Sequence, residues 1–137
     1  MSYLLDTNVL SEPRKRSPDP RVLAWFAATD ASELFVSVLS LGEIRNGVER
    51  LRRRGDGRQA EIVEQWFEHL KSDFADRFVT ITLRVAERWG VMNAERIRPT
   101  VDGLLAATAL ENDLTFVTRD THGIESTGVR VVNPWTD

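Results

Sequence analysis

Short apolar runs alternate with longer amphipathic stretches along this chain, and several of the runs stop at a carboxylate. Residues 3–5 are apolar and lead into Asp6-Thr7-Asn8, which predicts a buried strand, a polar turn and a short helix to about Glu12, closed by Pro13. Asp19-Pro20 supplies a cap and a first-turn proline for a helix through VLAWFAA. Residues 34–38 are rich in β-formers and predict a second strand. Over residues 38–54, Leu41, Ile44, Val48 and Leu51 recur at helical spacing, and Gly55-Asp56-Gly57 breaks the pattern. A further helix extends to about Phe74, with Ile62, Trp66 and Leu70 on one face. Residues 78–81 predict a third strand, 83–97 a helix ending before Pro99, 102–111 a short helix, and 115–118 and 129–132 two more strands.

Strands alternating with helices imply a mainly parallel sheet with helices on both faces. No internal repeat, low-complexity tract or linker interrupts the order, so residues 1–137 are expected to form one domain. In such sheets ligands bind beyond the carboxyl ends of the strands. Four acids fall at those places or on the helix that follows: Asp6, Glu43, Asp102 and Asp120.

Each acid also has an ordinary structural explanation. Asp6 and Asp102 are well placed to cap helices, and aspartate is a favoured N-cap. Ser40-Leu41-Gly42-Glu43 matches the S-x-x-E capping box. Against that, the helical period begins near Val38, and Ser40, Glu43, Asn46, Gly47 and Arg50 share a polar stripe suited to a cleft wall. Asp120 reads equally as a turn residue or a partner of Arg119 or His122. The shared location of all four at one sheet edge is what independent capping residues would not need. Brought together, they repel: two carboxylates ~4 Å apart do so by about 4 kcal/mol at an effective dielectric near 20. Such a pocket makes sense mainly as a site for hard divalent cations.

Composition narrows the chemistry. The chain has no cysteine and only His69 and His122, which excludes thiolate sites and makes a histidine-rich zinc site a poor fit. Oxygen ligands point to Mg²⁺ or Mn²⁺. His69 reads as a solvated surface residue and His122 as a loop residue near the site. Trp25, Trp66 and Trp89 read as core or interface, and Trp135 as a cap on the sheet edge. No apolar stretch approaches a membrane span and the first residues lack a signal peptide, so the expected location is cytoplasmic. A net charge of −3 argues against a polycationic coat for nucleic acid. Arg14 to Arg16 and the arginines from Arg50 to Arg58 are nevertheless locally basic; they read either as solvated helix ends or as contacts to a phosphate backbone.

DTNVLSEPRK near the start, SVLSLGEIRNGVERL in the middle and DGLLAATALENDLTFVTRD near the end together resemble the PIN-domain ribonucleases, in particular the toxin subunit of VapBC toxin–antitoxin pairs. The likeness covers nearly the whole chain. It implies a three-layer α/β/α sandwich and metal-dependent hydrolysis of RNA phosphodiester bonds by a metal-activated water. It assigns Asp6, Glu43, Asp102 and Asp120 as catalytic metal ligands, with Thr7, Asn8 and Thr118 as accessory groups. It further implies a cognate antitoxin that neutralises the enzyme, and we expect a homodimer. Three other readings exist: a PIN fold that has lost catalysis and only binds, a receiver-like Mg²⁺-binding signalling domain, and a dehalogenase-type phosphatase. The second wants a lysine after a late strand, and Lys15 and Lys71 are not so placed. A dehalogenase-type phosphatase wants a second acid where this chain has Asn8.

Overall fold

The computed structural model describes residues 1–137 as five parallel strands with helices on both faces. In chain order these are β1 (Tyr3–Leu5), α1 (Thr7–Ser11), α2 (Pro20–Ala27), β2 (Leu34–Ser37), α3 (Val38–Arg53), α4 (Gly57–Asp73), β3 (Phe78–Val79), α5 (Leu83–Glu95), α6 (Thr100–Glu111), β4 (Thr115–Val117) and β5 (Val131–Val132). The strand order is β3-β2-β1-β4-β5. The first strand is therefore central, with Leu4 paired to Phe35 on one side and Phe116 on the other. The order reverses between β1 and β4, which creates a crevice at the carboxyl ends of those strands.

Successive strand residues face opposite sides of a sheet, and Leu4 and Leu5 show it. Leu4 joins Phe116, Val85, Leu105 and Ala109 in the core beneath α5 and α6. Leu5 joins Val36, Val117, Val9, Ile44 and Phe67 in the core beneath the helices of the other face. Burial on both faces explains why the strands read as plain apolar runs, and it makes the fold the expected three-layer α/β/α sandwich.

Several predicted details differ. In α4 the buried residues are Ala60, Val63, Phe67 and Leu70, and Ile62 is 52% exposed. A row taken every fourth residue winds about 40° around the helix per step, so the 62-66-70 row leaves the core face, while alternating steps of three and four stay on it. The α5 helix stops at Glu95, and Ile97 lies outside it. Pro13 does not close α1 but sits within a single 3₁₀ turn, Glu12–Arg14, that follows it. The third strand is only Phe78–Val79, and the fifth begins at Val131. Trp135, expected at the sheet edge, is buried in the core beside Leu5, with the Arg119 guanidinium 5.1 Å from its ring centre. No helix is long and apolar enough to cross a membrane.

Candidate functional site

The backbone amide of Asp6 donates to the Val117 carbonyl at 2.9 Å, continuing the β1–β4 pairing one step beyond the strand. Its side chain then turns into the crevice as the N-cap of α1, where Oδ1 accepts from the Thr7 amide at 2.8 Å. The capping explanation of Asp6 is thus correct for one of its oxygens. The other oxygen, Oδ2, accepts from the Thr118 hydroxyl at 2.7 Å across 112 residues of sequence. That hydroxyl in turn accepts from the Asp120 amide at 3.2 Å. On the opposite side the Thr7 hydroxyl donates to Glu43 Oε1 at 2.7 Å. The two threonines flanking Asp6 therefore link it to its neighbours: Thr7 holds Asp6 with its amide and Glu43 with its hydroxyl, and the Thr118 hydroxyl joins Asp6 to the backbone of Asp120.

The capping-box reading of Glu43 fails. β2 runs directly into α3, whose cap is Ser37, accepting from the Leu39 amide at 3.1 Å. Glu43 stands a turn further along, exposed and facing the crevice. Ser40, expected on the polar cleft wall, is fully buried and its hydroxyl finds no partner. Asp102 is also not a cap. Pro99 occupies that position, and Asp102 lies in the first turn of α6, where the helix dipole favours a carboxylate. Gly103 beside it packs against the Trp89 indole so closely that an added Cβ would lie 3.0 Å from Trp89 Cδ1.

Asp6, Glu43, Asp102 and Asp120 line one open cleft of about 400 Å³, with Thr7, Asn8 and Ser11. No basic side chain lines it. The electrostatics carry the same message. Burial pushes the Asp6 carboxyl above its ordinary value; the bonds from Thr118 and Thr7 pull it back, and the charges of Glu43 and Asp120 push it up again. Asp102 is likewise raised, by burial first and then by Asp6 and Asp120. No three of the four carboxylates converge closely enough to hold a metal ion between them. The donor set is oxygen throughout, which suits a hard divalent cation.

Two residues at the end of α1 were not singled out in the sequence, Ser11 in the cleft and Glu12 outside it. Ser11 follows Thr7 by four positions, so helical spacing alone places it on the same face. Glu12 is 3% exposed, accepts from the Asp19 amide at 2.8 Å and pairs with Lys15 at 2.9 Å. Its carboxyl is lowered, chiefly by Lys15. His122 lies outside the carboxylate cleft, on a neighbouring pocket that shares Asp102 and Asp120. His69 is exposed on α4, as expected.

Comparison with known proteins agrees with this architecture. The chain is 36% identical over 137 residues to the plasmid stability protein StbB of Pseudomonas syringae pv. tomato, with 96% of this chain and 97% of that protein covered. It is 32% identical to the toxin FitB of Neisseria gonorrhoeae, with 98% and 99% covered. Against the VapC ribonuclease Y4jK of Sinorhizobium fredii it is 30% identical, with 96% of each covered. The crystal structure of FitAcB from Neisseria gonorrhoeae superposes with a TM-score of 0.90 at 31% identity, covering 98% of this chain and 99% of that one. The PIN domain matches residues 3–128, and the chain belongs to the PIN domain family.

Proposed function

We propose that this chain is the toxin of a type II toxin–antitoxin pair, an endoribonuclease that hydrolyses RNA phosphodiester bonds at the cleft formed by Asp6, Glu43, Asp102 and Asp120. The observation that carries this reading is the cleft itself: four carboxylates at the strand-order reversal of a PIN fold, positioned by Thr7 and Thr118 and neutralised by no cation of the chain. The name of the Sinorhizobium relative supplies the ribonuclease activity and that of the Neisseria relative the toxin role.

PIN nucleases generally use a divalent metal. We assign Asp6 and Asp102 as its main ligands here, completed by Glu43 and Asp120, with Mg²⁺ or Mn²⁺ as the ion. When bound, the metal would offset phosphoryl charge and make water a nucleophile at neutral pH. The protein's own part is to hold the carboxylates in place: Thr7 fixes Glu43, and Thr118 fixes Asp6 while accepting from the Asp120 backbone. Asn8 and Ser11 offer further polar contacts to the substrate.

The whole chain acts as one domain in this reading. A cognate antitoxin silences it by placing a cationic side chain among the carboxylates. A homodimer would cover apolar residues of α5, where Leu83 is 77% and Val91 64% exposed; sedimentation at micromolar concentration should show it. The central test is sequencing of RNA 5′-monophosphate ends after induced expression, with Asp6→Asn as control. New 5′-monophosphate ends dependent on Asp6 are expected. Products ending in 2′,3′-cyclic phosphate, or equal cleavage by Asp6→Asn, would overturn the assignment.

A further inference from the structure

The carboxylate cleft can host a reacting phosphate only with cationic help, and an RNA strand brings further phosphates on either side of the scissile one. Those must lie against something other than the acids. A second pocket, of about 220 Å³, opens beside the cleft and shares Asp102 and Asp120 with it. Its remaining wall carries Arg96, Arg98 and His122 around Gly123, alongside the apolar Ile97, Pro99 and Ile124.

The two arginines differ in how they are held. Arg98 Nε donates to the Gly123 carbonyl at 3.0 Å, Nη1 to the Met92 and Arg96 carbonyls at 3.1 and 3.2 Å, and Nη2 to the Ser126 hydroxyl at 3.0 Å. A guanidinium carries five N–H donors, so these bonds leave one for a ligand. They also tie the loop after β4, where Gly123 adopts φ +82°, to the end of α5. Arg98 thus builds the pocket and sets a fixed positive charge in its wall. Arg96, at the C-cap of α5, is exposed; its guanidinium makes a single 3.5 Å contact with Ser126 Oγ and pairs with no carboxylate. The N-terminus of α6 opens at the same place, without a side-chain cap, and adds the positive end of its dipole.

We infer that this pocket is the subsite for the RNA backbone phosphate next to the scissile one, with Arg96 as its principal ligand and Arg98 and His122 as supporting donors. The inference rests on the ribonuclease reading above and adds to it where the strand runs: past Asp102 and Asp120, toward the loop that follows β4. Asp102 and Asp120 line the same pocket, so the phosphate sits on its opposite side, against Arg96 and Arg98.

The test uses full-length protein and a fluorescein-labelled single-stranded RNA. In an Asp6→Asn background, Arg96→Ala should weaken RNA binding about 5–10-fold. It should also flatten the dependence of log affinity on log salt by about 0.7, the loss of one phosphate contact on a single strand. With Asp6 intact, the same change should lower kcat/KM by a similar factor through KM. Arg96→Lys should restore the salt slope. Arg130→Ala removes an equal charge at the far end of the sheet, where Arg130 pairs with Asp113, and should alter none of these readings. If Arg96→Ala matches Arg130→Ala in affinity and slope, or weakens only antitoxin binding, the subsite is overturned while Asp6-dependent cleavage still stands. If the wild-type protein neither binds nor cuts RNA, the ribonuclease reading falls and the subsite with it.

Discussion

Two clusters of charge dominate this molecule, and they are built on opposite rules. Along the seam between α3 and α4, acids and bases interleave: Arg45 reaches Glu64 at 2.8 Å and Glu49 at 3.2 Å, and Arg52 reaches both of the same glutamates at 2.7 Å. Arg45 and Arg52 are raised and Glu64 is lowered, each chiefly by its hydrogen-bonded partner. In the cleft at the carboxyl ends of β1 and β4, four acids face one another with no base among them, and Asp6 and Asp102 are raised. Charge that is neutralised internally contributes to the fold. Charge held without a partner lowers stability, and a fold that retains it does so for a ligand of opposite sign.

The comparison breaks most readily at Asp6. Asp6→Asn should lower cleavage by about 10³-fold, some 4 kcal/mol of barrier. Without added metal it should also raise the melting temperature, by up to about 4 °C, since burial and neighbouring charge oppose the ionised form. The sign follows from linkage. A raised folded-state pKa means that the cost is present at neutral pH and disappears as pH falls below the ordinary value of 3.8. The gap between variant and wild type should therefore close on acidification. Asp6→Ala should lose activity equally but cost about 1 kcal/mol of stability, because the cap to Thr7 goes with it. If Asn and Ala variants are both less stable than wild type at pH 7, Asp6 is a structural cap and the cleft loses its central member.

How much of this contrast was legible beforehand depends on sequence distance. Asp6, Glu43 and Asp120 could be picked out because each lies at or just beyond an apolar run, and parallel topology sends those ends to one edge. Asp102 departs from that rule: it lies in the first turn of α6, which follows α5 and leads into β4, and it reaches the cleft from the N-terminus of that helix. The accessory threonines came from the family likeness, and the structure supplies their physical role as bridges between acids. The phosphate pocket was not legible. It depends on Arg98 reaching Gly123 and Ser126, more than twenty residues away, through the packing of α5 against α6 and the path of the loop after β4. Periodicity also misjudged single faces, as at Ile62 and Ser40, because helical rows wind while burial is set by what lies opposite. The arginines at 50–58 were open between solvated helix end and phosphate contact; Arg52 is now committed to the seam.

Glu12 sharpens the contrast, since it is a buried acid six residues from Asp6 that follows the rule of the seam. Its carboxylate is held by Lys15 and by the Asp19 amide, which lower it from its ordinary value of 4.5. A lowered folded-state pKa gives stability that is present above 4.5 and is lost as pH falls through the folded value. Glu12→Gln should therefore melt a few degrees below wild type at neutral pH, with the difference closing in acid, and should cut RNA normally. Thermal melts from pH 7 to pH 3 on both variants would show curves of opposite sign, with Asp6→Asn above wild type and Glu12→Gln below it. Two curves on the same side of wild type would mean that neutralisation does not separate the two acids.

The smallest effect should come from the seam. Arg52→Ala leaves Glu49 and Glu64 still bridged by Arg45, and only the 3.9 Å pairing of Arg52 with Glu61 is lost outright. All of these groups are partly exposed, where ion pairs contribute little and salt screens them. The expected loss of melting temperature is less than about 3 °C, shrinking further at high salt, with cleavage unchanged. Removing Arg45 together with Arg52 should cost more than the sum of the single changes, because only the double variant leaves the glutamates facing one another unpaired. That would turn the seam into a weak copy of the cleft, and its stability should then rise with added divalent cation. A tenfold drop in RNA cleavage from Arg52→Ala alone would instead show that the seam contacts substrate, and the division between structural and functional charge would have to be redrawn around α3.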